Sequence, residues 1–207
     1  MPMTPDAFAA LHPRLHRLAM PGAHEGIRRH GLLTPAQIAE RTGVALPTTP
    51  RREAIPVTLP DGTPVTITDN RPLSFRALAP VLDDGLTPAA WLAMLNDRVF
   101  FWPHRGLGAG NLKARARLGY GSEWQTYDTR ALLAPVWDRA EIAPINTGST
   151  VRAAARRGRA SFAALDGLDY GAWRRARGRK GLDAVKEVTV RGGVPDAGAA
   201  LVGVEPA

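Results

Sequence analysis

The chain changes its hydrophobic period several times, and each change marks an element. Arg14 to Ala19 reads as a short strand stopped by Pro21-Gly22. Ala23 to His30 follows as a helix with Ile27 inward, and Gly31 is suited to a left-handed C-terminal cap. Thr34-Pro35-Ala36-Gln37 is a capping box with proline at the first helical position, and the helix runs to about Thr42. Residues 44–56 form a loop, and Val57–Leu59 and Val65–Thr68 flank Pro60-Asp61-Gly62-Thr63 as a hairpin. Leu73 to Leu82 and Thr87-Pro88 to Leu95 are helical. Arg98 to Trp102 is a buried strand.

The second half alternates more tightly. Asn111 to Leu118 is a basic helix, Trp124 to Tyr127 a strand, Ala131 to Trp137 helical, and Glu141 to Ile145 a strand ending in the turn Asn146-Thr147-Gly148-Ser149. A basic segment precedes the strand Ala184 to Val190 and a last one near Ala200 to Val204. Helices cluster early and strands late, without regular βαβ spacing. The expected class is α+β with a largely antiparallel sheet.

Composition narrows this little, and charge narrows it more. A hydrophobic fraction of 44% with 22% charged residues supplies a real core in one domain spanning 1–207. No apolar run is long enough to cross a membrane and no export signal is evident, so a cytoplasmic location is the expectation. The absence of cysteine removes disulfides, thiolate catalysis and cysteine-ligated metal. Residues 151–180 hold nine bases against two acids, which is +7 of the chain's +8. This basic insertion or loop suits a polyanionic partner, DNA or RNA. Arg156, Arg157, Arg159, Arg174, Arg175 and Arg177 would meet phosphates, and Trp173 interleaved with Tyr170 would offer stacking surfaces.

Familiar catalytic motifs do not account for the chain. Gly106-Leu107-Gly108-Ala109-Gly110 sits between strand and helix, but its glycines are misplaced for a dinucleotide loop, and it reads as a flexible loop beside a cleft. The histidines lack metal-ligand spacing, and no metal is expected. No G-x-S-x-G elbow marks a nucleophile. What remains is a set of polar residues on separate strands. His16 lies in the first. Glu187 lies in a valine-rich late strand, where it faces solvent, pairs with Arg191 or Lys186, or lines a cleft.

Several blocks carry a resemblance: Leu15-His16, Ile27-Arg28-Arg29-His30-Gly31-Leu32-Leu33, Asp84 to Trp102, Pro144 to Gly148, and Asp183 to Asp196. Together they resemble an uncharacterised bacterial family with the ADP-ribosyltransferase-like fold, distantly similar to DNA-modifying and poly-ADP-ribose polymerase-type transferases. The resemblance runs from about residue 13 to 204 and implies split antiparallel sheets around an NAD cleft, flanked by helices. By that likeness His16 contacts the adenosine-side ribose, Tyr120 or Trp102 stacks on nicotinamide, and Glu187 binds the nicotinamide ribose. Arg17 (or Arg14 or Arg28), Phe101, Asn146, Thr147 and Ser149 would hold the rest of the dinucleotide.

The residue types suit the chemistry. Breaking the nicotinamide glycosidic bond develops positive charge on the ribose, which one nearby carboxylate stabilises without a metal. The implied function is NAD-dependent transfer of ADP-ribose, with a nucleic-acid base as acceptor. A non-catalytic nucleic-acid-binding module on the same fold, and an RNA 2′-phosphotransferase-like enzyme, are the alternatives.

Overall fold

Side-chain caps and prolines decide where the elements begin and end in the computed structural model, which describes residues 2–151, 154–177 and 184–207. The Thr4 hydroxyl accepts the amide of Ala7 and starts α1 (Pro5–Leu11), a helix the sequence pattern did not anticipate. β1 (Arg14–Ala19) and α2 (Ala23–His30) fall where expected, and Thr34 with Gln37 closes the capping box of α3 (Pro35–Thr42). Gly31 ends α2 with φ 72°, and a Cβ there would lie 1.8 Å from the Pro195 carbonyl oxygen. Only glycine permits both that backbone and the Leu32–Val194 bridge beside it.

β2 (Ile55–Thr58) and β3 (Pro64–Ile67) pair as the hairpin. The helix expected over Leu73–Leu82 is shorter: α4 (Phe75–Leu78) gives way to a 3₁₀ turn at Ala79–Val81, where Pro80 has no amide to continue the ladder. α5 (Pro88–Asn96) leads directly to β4 (Arg98–Phe101), and then comes α6 (Arg105–Arg117). α6 absorbs the glycine triad that the sequence suggested was a loop.

β5 (Glu123–Asp128) is followed by α7 (Thr129–Leu133), which Pro135 turns into a 3₁₀ helix kinked at Val136. β6 (Ala140–Ala143) stops before Pro144. The basic segment is no simple loop. Its described part contains β7 (Ala163–Ala164) and α8 (Tyr170–Arg175), while Arg152, Arg179 and Lys180 lie outside the described residues. β8 (Glu187–Arg191), α9 (Ala197–Ala200) and β9 (Leu201–Pro206) complete the order.

The class is mixed α+β with antiparallel sheets. One sheet runs β1-β5-β9, the other β4-β8-β6-β7. They meet at an isolated antiparallel bridge between His16 and Trp102, whose amides and carbonyls exchange two hydrogen bonds of 2.8 and 2.7 Å. Leu15, Phe101, Tyr127, Ile142, Val188 and Val190 point to the larger core, beneath α1, α2, α7 and α9. A second apolar cluster, built from Trp91, Leu92, Leu95 and Phe162, covers the opposite face of the second sheet. Buried on that face, Glu141 takes a bidentate bond from Arg98 at 2.8 and 3.1 Å, pairs with Arg191, and accepts the Thr189 hydroxyl. This network satisfies polar groups that would otherwise be costly to bury.

Candidate functional site

Strand register brings the sequence-distant residues together. His16 exchanges both backbone bonds with Trp102, so it stands opposite Thr126 of β5 as a non-hydrogen-bonded pair, the arrangement that brings side chains closest. Its Nδ1 lies 3.1 Å from the Thr126 hydroxyl. Phe101 pairs with Val188, the last pair of the β4–β8 ladder, so Trp102 and Glu187 are the residues at its end. Directly opposed residues share a face. Thr126, His16 and Trp102 therefore form a row, and Glu187 begins β8 one residue beyond that last pair.

α6 lies over this row. Gly108 is where it touches: a Cβ would stand 2.7 Å from the Trp124 ring and 2.8 Å from the Trp102 ring. Gly106 and Gly110 meet nothing within 4 Å. The triad thus separates by role. Gly108→Ala should destabilise the protein by about 1–3 kcal/mol through overpacking against two indoles. Gly106→Ala and Gly110→Ala should each stabilise it by about 0.5–1 kcal/mol through helix propensity. Thermal or urea unfolding of the three variants checks the contrast.

Beyond Trp102 lies a cavity of about 330 Å³ lined by Trp102, Leu107, Ile145, Asn146, Ser149 and Lys186, among others. That is within the roughly 300–1,000 Å³ of small-molecule sites. Asn146 and Ser149, singled out from the sequence, both line it. Ile145, Leu107 and Lys186 were not anticipated, because they come from the segment after β6, from α6 and from the approach to β8, and only the tertiary fold brings them to one wall. A neighbouring cavity of about 500 Å³ shares Pro144, Ile145 and Arg157 and is edged by Asp83, Asp84, Arg156 and Arg177.

Glu187 neither faces solvent nor pairs with Arg191 or Lys186. It is 5% exposed and receives the Thr147 amide at 3.0 Å and the Thr147 hydroxyl at 2.6 Å, both on Oε2. Oε1 carries no hydrogen bond among the described residues. Burial pushes this carboxyl up to about 7, against the opposing pull of the Thr147 bonds and the Arg157 charge. Thr147, expected as a dinucleotide contact, is fully buried and holds the acid instead.

Other expectations are corrected by placement. Tyr120 follows α6, with the Arg115 guanidinium over its ring at 5.7 Å from the ring centre. It precedes Glu123, whose partner is Ala19, three register positions from His16. The structure therefore does not bring it to the row, and Trp102 is the aromatic that does stand there. Phe101 points to the opposite side of its strand and packs edge-on against Tyr127. Arg17 alternates away from His16 toward the Tyr127 hydroxyl.

Arg157 is buried, with its guanidinium donating to the carbonyls of Thr147 (3.1 Å), Ser149 (3.1 Å) and Ala155 (2.9 Å). It braces the wall rather than meeting phosphates. Trp173 is buried too, with Arg177 stacked over it at 3.9 Å and Tyr170 at 5.8 Å. Arg156 and Arg159 are exposed, but Arg156 pairs with Asp83 and the Arg159 amide bonds Asp84. Arg175 is exposed at the end of α8 and Arg174 half-buried beside it.

Around His16 the sequence reading missed four neighbours. Arg105 donates to the Thr126 hydroxyl at 3.1 Å and pairs with Glu205 of β9 at 2.7 Å, and His104 occupies the position just before the same helix. Burial, Arg105 and His104 together hold the His16 imidazole below its usual range, while Glu205 pulls the other way. The only available signal was the Trp124–Thr126 alternation in β5; the pairing of that strand with β1 is a tertiary fact.

Among the described residues no helix is long and apolar enough to cross a membrane, and no cluster of three acidic or histidine side chains forms a metal site. An α+β molecule with a polar row across two joined antiparallel sheets is the class these features define. The chain matches the family of unknown function DUF7002 over residues 13–201 and belongs to it. Searches of curated proteins and of solved structures found no match.

Proposed function

We propose that this chain is an NAD-consuming ADP-ribosyltransferase-like enzyme, with the two antiparallel sheets forming that fold's split arrangement around the cleft. The observation that carries the reading is a juxtaposition. His16 and Trp102, from the beginning and middle of the chain, bridge the two sheets, and Glu187, from near its end, lies one residue beyond the last pair of the β4–β8 ladder at the Trp102 end.

In this reading Trp102 supplies the flat surface for nicotinamide, and Glu187 Oε1 meets a hydroxyl of the adjoining ribose. His16 binds toward the adenosine end. The C1′–N glycosidic bond breaks with its electron pair passing to the pyridinium nitrogen, and neutral nicotinamide leaves. The ribosyl cation, steadied by the Glu187 carboxylate, accepts a lone pair from a base nitrogen, which gives up its proton. Thr147 holds the carboxylate by Oε2, and the Arg157 charge favours its ionised form. Exposed Arg156, Arg159 and Arg175 supply charge for a nucleic-acid acceptor.

Incubation of the protein with labelled NAD and single-stranded DNA or RNA tests this. Transfer or hydrolysis is expected, with Trp102→Ala weakening NAD binding roughly 10-fold or more by loss of the stacking surface. Equal behaviour of wild type and Glu187→Gln would overturn the enzyme reading. The burial of Glu187 against Thr147 favours the second reading, a nucleic-acid-binding module with a degenerate cleft. It predicts strongly salt-dependent DNA or RNA binding without NAD affinity.

A further inference from the structure

The polar groups around His16 admit a hydrogen-bond assignment in which the Thr126 hydroxyl proton finds an acceptor and no donor is left facing another. Arg105 can only donate, and its Nη2 lies 3.1 Å from Thr126 Oγ1. That hydroxyl has one proton, and its only acceptor among the described residues is His16 Nδ1 at 3.1 Å. Arg105 is itself held by both carboxylate oxygens of Glu205, at 2.9 and 2.7 Å. The bonds therefore diverge from Arg105: it donates to Glu205 on one side and to Thr126 on the other, which leaves the Thr126 proton free to be donated to the imidazole.

We infer that Arg105 and Thr126 are positioning residues that fix His16 as the neutral imidazole with its proton on Nε2, a permanent hydrogen-bond donor for an uncharged oxygen acceptor such as a ribose hydroxyl. Nδ1 is occupied as an acceptor, so the ring cannot also take a proton from a ligand on that side. Charge around the ring agrees. Arg105 and His104 from α6 oppose an imidazolium and Glu205 from β9 favours it, while Thr126 and Trp102 are the uncharged neighbours on β5 and after β4. His16 then contributes recognition, and the proton inventory of the site falls to Glu187.

Only the identity of the ligand oxygen rests on the proposed NAD reading. The protonation pattern is measured on ligand-free protein and stands or falls separately. Nitrogen-15 NMR of histidine-labelled protein should show His16 with an unprotonated, hydrogen-bonded Nδ1 and a protonated Nε2 between about pH 6 and 8. Its titration should fall below the ordinary 6.5.

Arg105→Gln should raise that midpoint by roughly half a pH unit or more, since it removes a cation, and Glu205→Gln should lower it by exposing the cation. Thr126→Ser should keep the wild-type Nδ1 signature, and Thr126→Val should lose it. These opposite displacements are ones that loss of packing alone would not produce. A proton on Nδ1, a midpoint above 6.5, or the same midpoint in the Arg105 and Glu205 variants would overturn the assignment. If the pattern holds and NAD does not bind, the assignment survives while the proposed function fails.

Discussion

Glu187→Gln is expected to leave the protein more stable than wild type in alkaline solution, by at most about 3 kcal/mol, and to flatten its stability against pH. The carboxyl titrates at about 7 in the folded chain against 4.5 for an ordinary glutamate. Between those values the folded state holds the proton more tightly than the unfolded state. The favourable contribution is therefore complete below about 4.5, declines as pH rises, and is gone above about 7. Glutamine keeps the neutral shape and the acceptor for Thr147 without the charge. Urea unfolding at several pH values measures the difference. A wild type that gains stability between pH 5 and 8 relative to the variant would mean that the acid is not buried as described.

The same titration predicts function. If the ionised form steadies the ribosyl cation, turnover should rise through about pH 7, and Glu187→Gln should lose it by roughly 100-fold or more. A gain in stability coupled to a loss of turnover is characteristic of a carboxylate kept in an unfavourable place for its chemistry.

Arg157→Met is expected to cost about 3–5 kcal/mol, the largest loss among the single changes considered. The guanidinium satisfies three carbonyls of the wall and lies near Glu187, so removing it strands acceptors and leaves a buried acid without its nearest cation. Lysine should not rescue it, because a point ammonium lacks the fork that reaches Ala155 on one side and Thr147 and Ser149 on the other. The damage should be smaller in a Glu187→Gln background, where no charge is left uncompensated, and a double-mutant cycle at pH 8 reads the coupling. A loss below about 1 kcal/mol would show that the wall at 144–150 stands without Arg157.

Much of the scaffold was legible in the sequence because local chemistry fixed it. The Thr34–Gln37 box, the Pro60–Thr63 turn, the aromatic run of β4 and the β-branched run of β8 each specify an element without long-range help. The misses share a cause, which is tertiary contact overriding local preference. Three glycines argue against a helix at Gly106–Gly110, yet Gly108 is what allows α6 to lie on Trp102 and Trp124. Arginine density suggested a phosphate contact for Arg157, while the fold commits its guanidinium to buried carbonyls. His16 and Glu187 were identifiable as polar residues in apolar strands. Tyr120 was chosen by order along the chain, and Thr126, Arg105 and Glu205 became visible only once β1, β5 and β9 were set in register.

The most direct measurement is a crystal structure of the protein grown with NAD. The account predicts nicotinamide against Trp102, its ribose within hydrogen-bond reach of Glu187 Oε1, and the adenosine ribose at His16 Nε2. A dinucleotide seated in the larger cavity between Asp83 and Arg177, or crystals without bound dinucleotide at saturating concentration, would contradict it.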